Sequence, residues 1–425
     1  ELHTRAAQRQ AMRAEMCAPA IRSHWVRFWR QWATGITLCM VVASIPGYWV
    51  NSFTYDFAST YYESQRPFID QSRKNFVIHS YFELDDPTNG GLKEANWIQM
   101  ISLRLKKWAD EQRAGNSLHE VEKDKCVCQK FLNDIGVHAV PILGQWRKNT
   151  WNHTGFAQVL QTANYPIIIK LGHIQQSLGL RIFRDKAKAV AETGKIEEWV
   201  ESWFDTRFDD GTRSWAADVN VLYNALKPCV LVHPVLTGDW IAPTKAPYEL
   251  KVEVIWGRAY LAFLETRLCA RTFMGIWLGP QSSLIITRDR RLMRFGEYPK
   301  RFEWEWYWPW DQFSQYFANW ASESDNLRDK YTWLMDGEIM DRVFATAETV
   351  AHRIGAEQVR VDIFVSEDPN KMPIVNEISL SSGHYYRYHT KFLSKAWADG
   401  HRAKDSKQYS GPLPVPANLL GPQYR

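Results

Sequence analysis

Between Met340 and Ile354 the apolar positions recur at helical spacing: Met340, Val343, Phe344, Ala347, Val350, Ala351 and Ile354 form one stripe. Gly355 follows, as a helix C-terminal stop requires. The period then shortens. Val359–Phe364 and Pro373–Ser379 are apolar β-runs joined by Ser366-Glu367-Asp368-Pro369-Asn370-Lys371, which is turn chemistry. Together they predict an antiparallel hairpin. Upstream, Tyr165–Lys170 and Leu180–Phe183 read as strands around the loop Gly172–Gly179. Cys229–His233 reads as a buried strand, and Tyr248–Glu265 as two strands turning at Trp256-Gly257-Arg258. Asn96–Trp108 has the spacing of an amphipathic helix, and Ile196–Phe204 reads as helical. Phe131–Gly136 closes a helix on glycine, and Val137–Pro141 is expected as a short strand. Strands and helices alternate from Asp124 onward, which predicts an α+β domain over 124–400 preceded by a mixed region, 51–123.

The N-terminal pattern differs. Residues 1–31 form a basic arm with Arg5, Arg9, Arg13, Arg22, Arg27 and Arg30. No charge appears from Gln31 to Tyr55, and Ala33–Ile45 is mostly apolar, flanked by Trp32, Tyr48 and Trp49. A helix is expected over about 32–48, within a segment 32–50. Roughly eighteen apolar or neutral residues can cross a membrane core, and aromatic rings favour its interfaces. Basic residues before the span place the arm in the cytosol and the rest of the chain in a lumen, as a single-pass protein. A buried helix is the other reading, since the run contains two Thr, a Ser and a Pro. Residues 401–425 are rich in Pro and Gly, and a loosely ordered tail is expected.

Composition changes the picture in three ways. The chain has 425 residues and 45% hydrophobic content, enough for a large composite domain or two to three smaller ones. A net charge of +5, dispersed along the chain, gives no reason to expect nucleic acid. The 21 Trp are many, and the run Phe302–Trp310 alternates aromatic and acidic residues inside an aromatic segment, 290–320. That run fits a core or interface edge, or a platform for stacking sugars. The six cysteines show neither a disulfide framework nor zinc spacing, so buried thiols are expected.

The candidate chemistry lies in the hairpin. In-register pairing would set Asp362 beside Glu377, and adjacent carboxylates repel unless a cation lies between them. Hard oxygen ligands suit Mg²⁺, which also takes phosphate oxygens. Two solvent-facing acids on an edge hairpin would give the same pattern. Lys170, at the end of an apolar strand before a Gly-containing loop, suits a phosphate as a point charge. An ordinary hairpin with an exposed lysine also fits.

Taken in order, these segments resemble the ATP-grasp enzymes over about residues 124–392, most nearly the TupA-like branch tied to surface-polysaccharide and teichuronopeptide synthesis. The segments that carry the resemblance are Asp124-Lys125, Ile135–Pro141, Ile167–Lys170 with its loop to Gly179, and Pro228–Leu236. Tyr248–Lys251 with Trp256-Gly257-Arg258, Arg360–Asp362 and Asn376–Ser379 complete the set. The resemblance implies two α+β lobes clamping ATP. It implies nucleotide contacts from Lys125, Lys170, His173, Ser177, Gly179, His233 and Lys251. It also implies Mg²⁺ on Asp362, Glu377 and Ser379, with Arg360 facing the acyl-phosphate oxygens. Ser379 stands where many such enzymes have Asn, and His233 where an acid is usual.

The function implied is an ATP-dependent ligase that activates a carboxylate on a small molecule, glycan or peptide. The alternative is an ATP-grasp-fold protein without catalysis that binds a glycan or protein partner through its Trp-rich surface. A glycosyltransferase fits less well, because no nucleotide-sugar acidic motif stands in context. The aromatic segment and Ser381–Arg387 are expected to shape the acceptor pocket, with His384, Arg387 and His389 binding an anionic substrate; a solvated basic loop fits these three residues equally well.

Overall fold

A computed structural model describes residues 55–79, 82–84, 94–115, 120–174, 179–207, 215–242, 246–265, 283–293, 331–335, 337–382, 388–403 and 408–410. The expected helix over 32–48, the aromatic run 302–310, Ser177, His384 and Arg387 lie outside the described residues. Among the described residues, no helix is long and apolar enough to cross a membrane.

The first part of the chain is α1 (residues 55–74), β1 (Val77–His79) and α2 (Trp97–Arg113). Asn96 caps α2, its side chain accepting the Gln99 N–H, as a short polar residue before an apolar stripe favours. α3 (Glu120–Lys123) and α4 (Lys125–Asp134) follow. β2 (Gly144–Arg147), α5 (His153–Thr162), β3 (Ile167–Leu171) and β4 (Leu180–Phe183) come next. Then come α6 (Lys186–Ala191), α7 (Thr193–Phe204), α8 (Ala216–Ala225) and β5 (Cys229–Pro234). The second half holds β6 (Glu249–Ile255), β7 (Arg258–Glu265), β8 (Ser283–Thr287) and β9 (Leu292–Met293). It continues with α9 (Thr332–Met335), α10 (Ile339–Ile354), β10 (Gln358–Phe364) and β11 (Ile374–Ser379). The last elements are α11 (Tyr388–Arg402) and β12 (Gln408–Ser410).

Two antiparallel sheets organise these elements. One has six strands in the order β11-β10-β6-β7-β8-β9, and the other four in the order β2-β5-β3-β4. A parallel pair, β1-β12, stands apart. The α+β class is therefore as expected.

The predicted α10 stripe is buried: Met340, Val343, Phe344, Ala347, Val350, Ala351 and Ile354 lie in the core. Fully burying a large apolar side chain contributes about 1.5–3 kcal/mol, so this helix is held by its packing. The stop at Gly355 has φ 64°, the left-handed region. A Cβ there would lie 2.8 Å from the His79 backbone nitrogen, whose N–H donates to the Gly355 carbonyl. The β6–β7 turn places Trp256 at φ 52° and Gly257 at φ 75°, the twist a tight hairpin needs.

Three expectations need correction. Val137–Pro141 is not a strand. It makes a single bridge, Ala139 to Val375, and Pro141 has no N–H to extend the pairing. The tail is not wholly loose, since Gln408–Ser410 pairs in parallel with Val77–His79 and helix α11 runs through Arg402. Two of the cysteines are not thiols: Cys126 and Cys229 form a disulfide between α4 and β5, while Cys128 remains a buried thiol. Spacing could not reveal this, because the two cysteines are 103 residues apart.

Candidate active site

The six-stranded sheet carries charge through its interior. Strand pairing aligns Lys251 on β6 with Asp362 on β10, and Asp362 with Glu377 on β11. The next row aligns Glu253, Arg360 and Ser379. Alternation puts both rows on one face, while Val252, Val359, Val361 and Ile363 belong to the apolar face. Buried charges are costly unless paired, and here they are. Arg360 Nε donates to Asp362 Oδ1 at 2.6 Å and its Nη2 to Oδ2 at 2.8 Å. Lys251 Nζ donates to Asp362 Oδ2 at 3.0 Å and to Glu249 Oε2 at 3.0 Å.

Burial alone would raise the Asp362 pKa, but Arg360 and Lys251 outweigh it and hold the carboxyl at about 2. Burial alone would lower that of Lys251, and Asp362 and Glu249 outweigh it, so Lys251 stays charged. Glu377 differs. Desolvation of its carboxyl and the charge of Asp362 push its pKa up. Its side chain remains 41% exposed at the mouth of the site, with Arg360 Nη2 3.8 Å away.

A β-bulge shapes the edge. The β10–β11 register shifts between Asp362 and Ile363, leaving Asn376 as the extra residue. Strict alternation would send Asn376 and Glu377 to opposite faces, but both are half-buried on consecutive positions. Asn376 Nδ2 donates to Glu249 Oε1 at 2.7 Å, and its Oδ1 accepts from Lys170 Nζ at 3.5 Å.

Lys170 comes from the other sheet. On β3, Ile167, Ile169 and Leu171 are buried, and Lys170 projects from the opposite face toward β11. Burial lowers its pKa, offset in part by Glu377 and Glu249. Lys125, the first residue of α4, joins it. Asp124 caps that helix, accepting the N–H groups of Cys126 and Val127. Lys125 Nζ donates to the Ile174 carbonyl at 2.7 Å. Burial brings its pKa down to about 8, with Glu377 opposing and Lys170 adding to the shift. Two lysines with weakened hold on their protons thus face an acid with a raised pKa. Such clusters mark sites that expect further charge.

The other residues implied by the resemblance are placed less simply. His173 does not present itself to the site: its Nδ1 accepts the Cys229 N–H and its Nε2 donates to the Trp203 carbonyl. His233 is buried, its Nδ1 2.8 Å from the Pro141 carbonyl, and burial with Lys170 nearby lowers its pKa to about 4. It can line the site only as a neutral ring. Gly179 closes the loop by accepting the Leu171 N–H at 2.8 Å, and a Cβ there would strike the Leu171 side chain. Ser379 Oγ donates to Glu122 Oε1 at 3.4 Å. His389 is not an acceptor-pocket residue. It is buried among the rings of Phe57, Tyr61 and Tyr260, which keeps it neutral with a pKa pushed down to about 3.

Three residues of the site were not singled out from sequence as ligands: Glu249, Asn376 and Glu122. Glu249 and Asn376 flank residues that were, and the bulge that turns Asn376 inward has no sequence mark. Glu122 is buried, accepting from Lys123 Nζ at 2.8 Å and Ser381 Oγ at 2.7 Å.

The donor set fits a hard divalent cation. Asp362 and Glu377 stand side by side, Ser379 lies one row along, and the lysines opposite suit phosphate.

No family model matches the chain, and no curated protein matches it. Solved structures do. D-alanine–D-alanine ligase from Bacillus anthracis, complexed with ATP, is similar over 69% of this chain and 74% of its own, at 12% identity and a TM-score of 0.37. Biotin carboxylase from Campylobacter jejuni, as a β,γ-ATP complex, is similar over 72% of this chain and 54% of its own, at 12% identity and a TM-score of 0.39. The biotin carboxylase domain of 2-oxoglutarate carboxylase from Hydrogenobacter thermophilus, with MgADP, ADP and bicarbonate, is similar over 72% of this chain and 53% of its own, at 12% identity and a TM-score of 0.34. The chain thus spans about half the length of the two carboxylases.

Proposed function

We propose that this chain is an ATP-grasp ligase that binds ATP between its two sheets and activates a carboxylate. One observation carries the reading. Glu377, in register with Asp362 on one sheet, faces Lys170 of the other sheet and Lys125 of α4. A triphosphate needs cations on one side and a metal-bearing acidic wall on the other, because several negative charges enter a partly dry cleft.

In this reading Lys125 and Lys170 contact phosphate oxygens, and the Asp362–Glu377 wall holds Mg²⁺ with Ser379 beside it. When bound, Mg²⁺ neutralises phosphate charge. The γ-phosphoryl group passes to the substrate carboxylate, leaving ADP and an acyl phosphate. A nucleophile such as an amine then displaces phosphate. Arg360, held planar against Asp362, presents fixed positive charge to the oxygens where negative charge develops. The acceptor belongs to the chemistry of cell-surface polysaccharide or glycopeptide synthesis, a reading supported by the resemblance of Tyr248–Arg258 to the TupA-like strand and turn. A luminal setting is supported by the buried Cys126–Cys229 disulfide, since such bonds persist in oxidising compartments.

A second reading has its own observation. Both oxygens of Asp362 are already taken by Arg360 and Lys251, as in a purely structural ion-pair network. Calorimetry decides between them. Saturable Mg·ATP binding supports the ligase, and no binding at millimolar Mg·ATP supports a non-catalytic module that engages a glycan or protein partner.

A further inference from the structure

The charges in the acidic wall do not balance as a simple metal pair. Three carboxylates line it: Glu249, Asp362 and Glu377. Two fixed cations lie among them, Lys251 and Arg360. Lys251 Nζ bridges Asp362 Oδ2 and Glu249 Oε2, at 3.0 Å from each. Asp362 also accepts from Arg360 on both of its oxygens. Glu249 spends its other oxygen on Asn376 Nδ2, at 2.7 Å. Among the described residues, no hydrogen bond reaches the Glu377 carboxylate, and its nearest cation is Arg360 at 3.8 Å. So two acids are bridged by a tethered ammonium, and the third is left open at the mouth.

We propose that Lys251 is a built-in cation that occupies the place of a second divalent ion, so that the site takes a single Mg²⁺, gripped through Glu377. This rests on the ATP-binding reading above and specifies its metal stoichiometry. Lys251 is well placed for the role. It emerges from the middle of the six-stranded sheet, its stem is buried, and its position across from Asp362 is set by strand register. A bridging ammonium satisfies two carboxylates with one charge and cannot dissociate. A divalent ion in the same place would have to displace the ammonium, and Phe263, the register partner of Lys251 on β7, offers it no acceptor. Asp362 then acts chiefly as a positioning residue. It fixes the Arg360 guanidinium and the Lys251 ammonium, while Glu377 meets the metal.

The test counts metal. Mn²⁺ is titrated into the full chain with a saturating non-hydrolysable imido analogue of ATP, and free Mn²⁺ is read by electron paramagnetic resonance. The wild type is expected to bind one Mn²⁺ per chain. Lys251→Met, which keeps the stem and removes the charge, is expected to bind two, and Lys251→Arg one. Glu377→Gln is expected to weaken Mn²⁺ at least tenfold, and Asp362→Asn much less. Two ions on the wild type overturn the proposal while leaving ATP binding intact, and that count does not depend on any variant folding. Lys251→Met that folds and still binds one ion also overturns it. If the analogue brings no Mn²⁺ to the wild type, both the proposal and the ATP-binding reading fall.

Discussion

Lys170 Nζ lies 3.5 Å from Asn376 Oδ1, and at this contact the four-stranded sheet meets the edge of the six-stranded one. The lysine comes from near the end of β3 and the asparagine from a bulge in β11, 206 residues later. Neither needs the other for its own strand. Their approach exists because the two sheets face each other across the site.

That contact yields a prediction with separable parts. Burial already works against the charge on Lys170, so Lys170→Met should leave unliganded stability unchanged or slightly raised. The same change should remove Mg·ATP binding, at a cost of roughly 2–5 kcal/mol for a desolvated charge pair left half unmade. Thermal unfolding with and without Mg·ATP measures both. An unchanged nucleotide-induced shift would take Lys170 out of the site.

Lys125 sets the pH dependence. Its pKa is held down at about 8, against an ordinary value near 10.5. In the unliganded protein it loses its proton as pH rises through about 8. Mg·ATP affinity should therefore fall between about pH 7 and 9. The stability sign runs the other way: the unfolded chain keeps this proton to higher pH, so over about pH 8–10 the group makes the folded state more stable as pH rises. Lys125→Arg should remove the affinity loss across that range. Calorimetric titrations at several pH values check this.

Much of this site could be read from the chain, and the reason is local. The α10 stripe, the Gly355 stop and the β10–β11 hairpin depend on periodicity and turn chemistry, so Asp362 and Glu377 were expected side by side and are. What could not be read depends on distant approach. The Lys251 contact with Asp362, the Lys170 contact with Asn376, and the burial of His173 and His389 arise from packing between elements far apart in the chain. His389 lies in a segment whose neighbours look like a basic binding loop, yet Phe57, Tyr61 and Tyr260 come from elsewhere to enclose it.

A second buried network should govern acid stability. Glu357 is fully buried, accepting from Arg104 Nη2 at 2.9 Å and the Leu84 N–H at 2.6 Å, with His401 Nε2 3.3 Å away. Burial would raise its pKa, but Arg104 and His401 bring it to about 2. A depressed acid contributes stability above its unfolded pKa, near 4.5, and loses it as pH falls toward 2. Arg104→Met should cost roughly 3–5 kcal/mol at pH 7, because it takes from a buried carboxylate the guanidinium that pairs it. The deficit should shrink below about pH 4, where Glu357 in the variant takes up a proton. Urea unfolding at pH 7 and pH 3.5 measures the difference.

The disulfide links stability to the site. Cys126 follows Lys125 at the start of α4, and Cys229 begins β5. Gly172 lies over the bond, and a Cβ there would fall 2.2 Å from Cys229 Sγ, so the backbone after β3 can pass only as glycine. That backbone in turn takes the Lys125 N–H on the Gly172 carbonyl at 3.3 Å and the Lys125 ammonium on the Ile174 carbonyl. The bond therefore holds together the helix start, the strand and the loop that present Lys125. It closes a span of 103 residues, for which a cross-link is worth on the order of 4–5 kcal/mol by chain entropy, less whatever order the unfolded chain retains. Cys126→Ala with Cys229→Ala should lower stability by about 2–5 kcal/mol. It should also weaken Mg·ATP binding several-fold with the six-stranded sheet intact, because Lys125 loses its anchorage while Asp362 and Glu377 keep theirs. Denaturant unfolding and calorimetry on the double variant test both effects. A variant that loses stability but binds Mg·ATP like the wild type would show that the bond supports the fold and not the lysine.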